Sequence, residues 1–352
     1  MDNRRTAGFF CLLAAGLLAS SCGAAAESPP SPGSPRPTDP SGVETVDGAR
    51  IRRTGGWIFD VDFSPDGKFL AAAGRTGIAV YSVDAFRPVF SAQTESLPTS
   101  IDYSGDGQTI AYGTDTGGVR LIRASDGTDL RAMESDDGRI NDLAFSPDGR
   151  WLAAGRADHS VVLWDTSDGR QARILKGHEF QVDSIAFSPD GKYIAAGSVT
   201  ASMMDEGAVI IIFDAADGAV VSRMTWQPLP LPVTPPVGVF FLPDGGRVVS
   251  ISTDGMRMTW DAKTGKQADG VKLDFPGGGN SFGLSEDGMT AAVGAVSGDI
   301  FLFAINGDRI RLTEGLLDLS GVECVDFSSD GKQLASGTVD GTLTIWDLEH
   351  RR

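Results

Sequence analysis

Side chains that commonly carry out catalysis or bind metals are sparse in this chain. The three histidines, His159, His178 and His350, are widely separated, and no His-x-x-x-His or Cys-x-x-Cys spacing occurs. A zinc site needs several such ligands that the fold can bring together. In Glu134–Asp137, a solvated acidic turn is favoured over calcium binding because further ligands are lacking. We therefore predict no metal, no cofactor and no catalytic residues.

The net charge bears on the class of partner, and the cysteine content bears on disulfide bonds. The net charge of −17 repels phosphate backbones and anionic lipid headgroups, so we predict no nucleic-acid partner. Of the three cysteines, Cys11 belongs to the N-terminal apolar run, Cys22 follows it, and Cys324 lies alone in an apolar run. No disulfide is expected within the mature chain.

The elements that must position any site follow from one repeated phrase, aromatic-Ser-Pro-Asp-Gly. Its copies, some degraded, begin at Phe63, Tyr103, Phe145, Phe187, Phe241, Leu284 and Phe327. They recur at steps of about 40 to 43 residues, with one step of about 54, which is the period of a four-stranded propeller blade. Proline presets φ, aspartate bonds its own backbone, and glycine accepts a positive φ, so each copy is a hairpin turn. The predicted fold is all-β, a seven-bladed β-propeller of four-stranded antiparallel blades.

From Ala49 to the C-terminus this pattern resembles the Trp-Asp (WD) repeat propellers. Trp164-Asp165, Trp260-Asp261 and Trp346-Asp347 match the family's terminal dipeptide, and Gly177-His178 matches its opening dipeptide. In the family a His, a Ser or Thr, an Asp and the Trp are hydrogen-bonded within one blade. The repeat that His178 opens ends in Phe, which cannot donate a hydrogen bond, so no blade is expected to keep the whole network. Other seven-bladed families that share only the turn stay open as alternatives.

The ends of the chain predict how the ring closes. The sequence stops soon after the third run of the last repeat, Thr342–Asp347, so the last blade lacks an outer strand of its own. Ala49–Thr54 aligns with the outer run Gln171–Lys176 of another repeat. We expect Ala49–Thr54 to pair with Thr342–Asp347, so that the N-terminal strand closes the last blade and no long edge stays unpaired.

The N-terminus resembles an export signal. Arg4 and Arg5 precede an apolar run that is short for a membrane span and ends in Leu18-Ala-Ser-Ser-Cys22, which looks like a bacterial lipoprotein processing site. We predict a lipoprotein-type signal peptide over 1–21, a disordered tether rich in Pro, Ser and Ala over 22–46, and the propeller over 47–352. An ordinary cleaved signal, an uncleaved anchor and twin-arginine export are the alternatives.

Two insertions explain the one long step between repeats, and both are predicted on the face that carries the channel mouth. Val199–Gly207 contains Met203 and Met204, and Trp226–Pro236 contains Trp226, Leu229 and Leu231. Apolar side chains held by prolines are typical of a preorganised binding surface. The alternative is that these side chains pack over the blade edge and seal it.

Residues at the start of the inner strands, or in neighbouring turns, should share that face. The predicted partner-binding residues there are Trp57, Phe59, Arg75, Arg139, Asn141, Arg156, Gln181, Asp183 and Glu323. Propeller relatives commonly bind protein segments at this position, with aromatic anchors and charged specificity groups. Asn141, Asp183, Glu323 and Arg139 are also the candidates for an enzyme site in the channel.

These observations predict a monomeric, non-enzymatic protein-interaction scaffold. Its partner is an unidentified protein or peptide segment, and its contact with the membrane is through lipidated Cys22 only, at the outer face of the bacterial cytoplasmic membrane. Secreted or periplasmic localisation is the alternative. The alternative functions are a hydrolase or lyase of the propeller-lactonase kind and a small-ligand or glycan sensor at the channel mouth.

Overall fold

The chain folds into seven blades arranged as a β-propeller, as predicted. The computed structural model describes residues 42–46, 48–133, 138–198, 209–225, 236–276, 278–304, 309–311 and 320–349. Within these ranges every regular element is a strand, and no helix is long and apolar enough to cross a membrane.

Two N-terminal strands, β1 (Val43–Val46) and β2 (Ala49–Arg53), precede the first blade. Strands are given from the channel outward. Blade 1 consists of β3 (Ile58–Phe63), β4 (Phe69–Gly74), β5 (Gly77–Ser82) and β6 (Pro88–Ala92), and blade 2 of β7 (Pro98–Tyr103), β8 (Thr109–Thr114), β9 (Val119–Arg123) and β10 (Asp129–Met133). Blade 3 consists of β11 (Ile140–Phe145), β12 (Trp151–Arg156), β13 (Val161–Asp165) and β14 (Gln171–Leu175).

The strands of blades 4 to 6 follow the same order. They are β15 (Val182–Phe187), β16 (Tyr193–Ser198), β17 (Val209–Asp214), β18 (Val220–Thr225); β19 (Pro236–Phe241), β20 (Arg247–Ser252), β21 (Met256–Asp261), β22 (Gln267–Lys272); β23 (Gly279–Leu284), β24 (Thr290–Ala295), β25 (Ile300–Ala304), β26 (Arg309–Arg311). Blade 7 takes its first three strands from the C-terminal segment: β27 (Val322–Phe327), β28 (Gln333–Thr338) and β29 (Thr342–Asp347).

Each repeated phrase forms the turn between the first and second strands of a blade. In blade 4, Ser188 Oγ donates to Asp190 Oδ1 at 2.8 Å and accepts from the Tyr193 amide at 2.9 Å. Gly191 has a φ of 70°, which a residue with a Cβ rarely adopts. The turn therefore uses the Ser, the Asp and the Gly of the phrase, each for its own bond or conformation.

The predicted closure of the ring is confirmed. Strand β2 pairs antiparallel with β29, from Ala49 opposite Trp346 to Arg53 opposite Thr342, and becomes the fourth strand of blade 7. Arg52 Nε and Nη2 donate to the carbonyl oxygen of Phe86 in blade 1, at 3.0 and 2.7 Å. Backbone pairing thus joins the two ends of the chain, and the Arg52 side chain joins blade 7 to blade 1.

Strand β1 lies inside the segment that the sequence assigns to the disordered tether. Val43–Val46 pairs with β2 and adds a fifth strand to blade 7. The register puts Val46 opposite Ala49, so the two strands are joined by Asp47-Gly48. Asp-Gly between two short strands is a strong hairpin signal, and it marks this strand in the sequence.

The apolar core lies between neighbouring blades. Between blades 1 and 2, the small residues Ala71 and Ala73 of β4 pack with Ile101 and Tyr103 of the next inner strand. Comparable clusters join other neighbouring blades. Because each sheet is covered on both faces, the inner three strands are mostly buried, while the fourth strands are partly exposed.

The antiparallel order of strands defines two faces of the propeller. We call the mouth face the one that carries the turns between second and third strands and the connections from each fourth strand to the next blade. We call the turn face the one that carries the Pro-Asp-Gly turns and the turns between third and fourth strands. Any site between blades opens on one of these faces or on the rim.

Candidate functional site at the channel mouth

The mouth face is shaped by a β-bulge at the start of every inner strand. In all seven blades the pairing with the second strand skips the second residue of the inner strand. A bulge re-aims the residue that it leaves out of the ladder. The bulged residues are Phe59, Thr99, Asn141, Asp183, Val237, Asn280 and Glu323. Four of these are predicted site residues, and the bulge brings them to one level of the channel.

Two amide–carboxylate pairs join neighbouring blades at this level. Asn141 Nδ2 donates to the Val182 carbonyl at 3.0 Å and to Asp183 Oδ1 at 3.1 Å. At the junction of blades 6 and 7, the Asn280 side chain makes the same two bonds, to the backbone at 3.0 Å and to Glu323 Oε1 at 3.0 Å. All four side chains are buried. They hold blades together here, and their role as partner contacts stays a prediction.

An aromatic pair occupies the mouth beside blade 1. The rings of Trp57 and Phe59 stack with centroids 5.1 Å apart and an interplanar angle of 29°. Phe59 is buried, with 6% of its surface exposed, whereas Trp57 is half-buried. The Arg75 amide donates to the Trp57 carbonyl at 2.9 Å, and Arg75 is exposed. Phe59 therefore supports Trp57, and Trp57 and Arg75 are the accessible members of the group.

The other predicted contacts fall into three classes. Arg139 and Gln181 are half-buried, each directly before an inner strand. Arg156 is buried and forms an ion pair with exposed Asp158, so its guanidinium already has a partner within the blade. The remaining predicted contacts lie outside the described residues: Met203, Met204, Trp226, Leu229 and Leu231.

Below the mouth, carboxylates line one side of the channel, a feature that sequence reasoning missed. The first strand of each blade is an edge of its sheet. Its backbone amides on the channel side therefore have no partner strand. Side chains of the preceding blade accept from these amides instead. Asp326, Asp62 and Asp102 accept from Phe63, Tyr103 and Phe145 at 2.9, 2.7 and 2.7 Å, and Asp60 and Asp142 accept from Ile101 and Ile185 at 2.9 and 2.8 Å.

These carboxylates are crowded. Burial raises the pKa of Asp62, and the charges of Asp102 and Asp326 raise it further. Burial also raises the pKa of Asp102, although the hydrogen bond from the Phe145 amide opposes this shift. Alternation of Asp with apolar residues along the inner strands is the sequence signal that would have located this group.

The Trp and His motifs form partial networks, as predicted. In blades 5 and 7, Trp260 and Trp346 Nε1 donate to Ser250 and Ser336 at 2.9 and 3.0 Å. In blade 4, His178 Nδ1 is 2.9 Å from Ser198 Oγ. Burial, with the nearby charges of an arginine and a second histidine, lowers the pKa of His178 to about 3, so this ring is neutral.

One serine fits a nucleophile motif by spacing alone. Gly279-Asn280-Ser281-Phe282-Gly283 matches Gly-x-Ser-x-Gly, but Ser281 lies within strand β23 and is buried. The motif acts in hydrolases at a sharp strand-to-helix turn that exposes the hydroxyl. Among the described residues, no group of His, Cys, Asp and Glu has metal-binding geometry. Among the predicted site residues that the structure describes, the exposed or half-buried ones are Trp57, Arg75, Arg139 and Gln181.

Comparison with known protein families finds a repeat model that matches four segments of this chain. The WD domain, G-beta repeat family (WD40) matches residues 48–81, 127–165, 169–204 and 318–347. Three of the four matches begin with the fourth strand of one blade or just before it and run into the next blade. A repeat that straddles two blades is what lets an N-terminal strand complete the last blade.

Relatives with partial similarity include three plant proteins. Protein ROOT INITIATION DEFECTIVE 3 of Arabidopsis thaliana is 28% identical over 109 residues, which is 30% of this chain and 24% of that protein. U3 snoRNP-associated protein-like EMB2271 of Arabidopsis thaliana is 30% identical over 134 residues, 32% of this chain and 27% of that protein. Guanine nucleotide-binding protein subunit beta of Nicotiana tabacum is 32% identical over 121 residues, 31% of each chain.

The similarity spans about a quarter to a third of each relative, so it bears on the repeats and the fold. WD40 propellers generally act as scaffolds that bind other proteins, and the family is typically non-enzymatic. The four matched segments show that this chain carries WD40 repeats, and they lie within a seven-bladed β-propeller.

Proposed function

We propose that this propeller is a protein-interaction scaffold whose mouth face binds a segment of a partner protein. The observation that carries the proposal is the half-buried ring of Trp57, held by stacking on Phe59 and adjoined by exposed Arg75. Tryptophan and arginine are enriched among the residues that dominate binding energy at interfaces. A ring that is already supported loses little conformational entropy when a partner covers it.

The surrounding mouth supports this role. The amide–carboxylate pairs of Asn141 with Asp183 and of Asn280 with Glu323 bind blade to blade. A rigid rim of this kind keeps its shape when a partner docks, as in most preorganised complexes. The half-buried side chains of Arg139 and Gln181 would supply polar specificity around the aromatic anchor.

Variants of the two accessible residues test the proposal. Wild-type and variant proteins would be compared for the proteins that they capture from an envelope extract, with quantification by mass spectrometry. Loss of a central tryptophan contact typically costs about 2 kcal/mol, which is roughly 30-fold in Kd. We expect Trp57→Ala to lose the captured partner and Arg75→Glu to weaken its capture.

Lys266→Glu is the matched control, because Lys266 is an exposed cation on the turn face of blade 5. It should capture the same partner as the wild type. Equal capture by wild type and Trp57→Ala, with unchanged melting temperatures, would contradict the proposal. A lower melting temperature of Trp57→Ala without any loss of capture would assign Trp57 to packing.

We further propose that the mature chain begins at Cys22 and is held by lipid at the outer face of the bacterial cytoplasmic membrane. Small residues directly before Cys22, and a proline-rich segment after it, support this proposal. Each buried CH₂ of an acyl chain contributes about 0.8 kcal/mol, so two or more chains anchor a protein stably. The mass of the N-terminal peptide tests it. An unmodified Cys22, or an unchanged membrane fraction in Cys22→Ser, would contradict the anchor.

A further inference from the structure

The seven inner strands of the propeller carry acidic side chains and no basic ones. Their sequences contain no Lys, Arg or His, and their carboxylates are Asp60, Asp62, Asp102, Asp142, Asp183, Glu323 and Asp326. Because these strands line one channel, their acidic groups are brought near one another. Neighbouring carboxylates disfavour each other's ionisation.

Three of these acids lie in register where the ring closes. Asp326, Asp62 and Asp102 are the fifth residues of β27, β3 and β7, in the successive blades 7, 1 and 2. We call these three residues the carboxyl row. Blade 7 is the blade that joins the two ends of the chain. The fifth residues of the other four inner strands are uncharged: Ala144, Ala186, Phe240 and Gly283.

Each member of the carboxyl row bonds its blade to the next one. One oxygen accepts from a backbone amide of the following inner strand, in the pairs Asp326 with Phe63 at 2.9 Å, Asp62 with Tyr103 at 2.7 Å, and Asp102 with Phe145 at 2.7 Å. The side chains are half-buried, since the channel that they line is enclosed by blades. A carboxyl group that holds a proton still accepts through its other oxygen, so these bonds exist in both protonation states.

The strands packed around the carboxyl row add no positive charge. The second strands of blades 7, 1 and 2, which are β28, β4 and β8, contain no charged residue. The other titratable groups on the first and second strands of these blades, besides the acids already named, are Cys324, Tyr103 and Tyr112, and burial raises the pKa of both tyrosines. Arg139 directly precedes β11 at the mouth end of that strand, whereas Asp102 is toward the turn face.

Burial and neighbouring charges favour the protonated form of the row. Burial raises the pKa of Asp62, and the charges of Asp102, Asp326 and Asp60 raise it further, against the hydrogen bond from the Tyr103 amide. Burial is also the largest influence on Asp102 and raises its pKa, with smaller contributions from the carboxylates of neighbouring strands. A carboxyl group with a raised pKa keeps its proton at a pH where a solvated aspartate has lost it.

We propose that the carboxyl row is a proton-dependent contact that holds blades 7, 1, 2 and 3 together while it is protonated and loosens their junctions when it ionises. The hydrogen bonds to the amides are present in both states, but ionised carboxylates also repel one another across the same junctions. One of these junctions follows the blade that closes the ring. The pH of the surroundings therefore sets how firmly the ring is closed.

The sign of the effect is opposite to that of acid denaturation. A raised pKa gives a contribution that is complete below the unfolded pKa, about 3.9 for aspartate, and is lost as the pH rises through the folded pKa. Hydrogen bonds from Lys68 and Ser64 lower the pKa of Asp66 to about 2, so that turn loses stability only in acid. Burial lowers the pKa of His178 to about 3, so His178 opposes the row below about pH 6.5.

Urea unfolding of the full chain between about pH 5 and pH 9 tests the proposal. Asp62→Asn combined with Asp102→Asn keeps an acceptor for each amide and removes both titrating groups. The unfolding equilibrium constant of the wild type, divided by that of the variant, should rise with pH by up to about tenfold per pH unit for each proton lost. This ratio cancels the contribution of His178, which both proteins share.

Asp66→Asn combined with Asp106→Asn is the matched control, because it makes the same change in the turns that directly follow the same two strands. Hydrogen bonds lower the pKa of both turn aspartates, so the ratio for this control should be constant over the same pH range. Hydrogen exchange locates the effect. After correction for intrinsic rates, protection of the Tyr103 and Phe145 amides should fall as the pH rises. Protection of the Val239 amide, which donates to uncharged Ser184 Oγ at 3.1 Å, should not.

The inference is overturned if the ratio for the channel variant does not rise with pH, or if the control gives the same rise. If the channel variant does not fold, proton release by the wild type decides: unfolding near pH 7 should release about one to two protons, and no release would overturn the inference. Stabilisation of the wild type, but not of the channel variant, by millimolar calcium or magnesium at pH 8 would assign the carboxylates to a cation and would also overturn it.

Discussion

Trp164 provides a test of how the third strand of a blade is held. Its side chain is fully buried, and none of the residues that the structure describes accepts a hydrogen bond from its Nε1. In blades 5 and 7 the corresponding indole donates to a serine on the second strand. The strand register gives that position to Ala154 in blade 3, since Leu152 is opposite Trp164. Ala154→Ser should therefore supply the missing acceptor.

The expected gain follows from the cost of a buried donor without a partner, about 1 to 3 kcal/mol, and the net value of a hydrogen bond, about 1 kcal/mol. We expect Ala154→Ser to raise the free energy of unfolding by about 1 kcal/mol and Tm by about 2 °C. Ser336→Ala should lower the free energy by about 1 to 2 kcal/mol, because it leaves Trp346 unpaired. Urea unfolding followed by fluorescence and circular dichroism measures the free energy of unfolding of both variants. Coincident transitions from the two probes would establish two-state unfolding, for which a single free energy of unfolding is defined.

A double-mutant cycle separates the hydrogen bond from packing. In a Trp164→Phe background the new hydroxyl of Ala154→Ser has no indole to accept from, so the same change should destabilise the protein. If Ala154→Ser destabilises equally in both backgrounds, the reasoning is refuted, because the serine is then a packing defect and the indole gains nothing from it.

Three further changes have defined outcomes. Arg52→Ala should lower the free energy of unfolding by about 2 kcal/mol, because two charge-assisted hydrogen bonds to the Phe86 carbonyl are lost. An unchanged thermal transition would argue against a role of Arg52 in closing the ring. Asp62→Asn keeps an acceptor for the Tyr103 amide and removes a carboxyl whose pKa is raised by burial. A group with a raised pKa stabilises the fold below its ordinary pKa and loses that contribution as the pH rises through the raised value. Near pH 8 the free energy of unfolding of the variant should therefore exceed that of the wild type by about 1 kcal/mol. This difference should shrink toward about pH 4. A difference that grows in acid would contradict the account. His159 has a left-handed φ of 73°, and the corresponding turns of other blades have glycine there. His159→Gly should therefore raise the free energy of unfolding in denaturant by about 0.5 to 1 kcal/mol. A loss of stability would show that the histidine makes a compensating contact.

The blades and their closure could be predicted because the signals are local and repeated. The turn phrase encodes its own hydrogen bonds and its own positive φ, and its period gives the size of the blade. The outer strand Ala49–Arg53 follows from counting strands at the two ends of the chain. Val43–Val46 falls within the predicted tether because four residues beside a proline-rich segment carry little pattern, although Asp47-Gly48 in the sequence is a hairpin signal.

The details of the two faces depend on contacts between blades, which the repeat does not encode. Spacing placed Asn141 and Asp183 at the starts of inner strands, but their burial results from the bulge and from the blade that follows.

Site-specific photo-cross-linking tests most directly whether the mouth face binds the partner. A photoreactive amino acid would replace exposed Arg75 on the mouth face or, as the matched probe, exposed Lys266 on the turn face. Cells that express each variant would be irradiated, and cross-linked products would be identified by mass spectrometry. We predict a discrete cross-linked partner from position 75 and none of that product from position 266. The same product from position 266 alone, or from both positions equally, would contradict a partner site at the channel mouth.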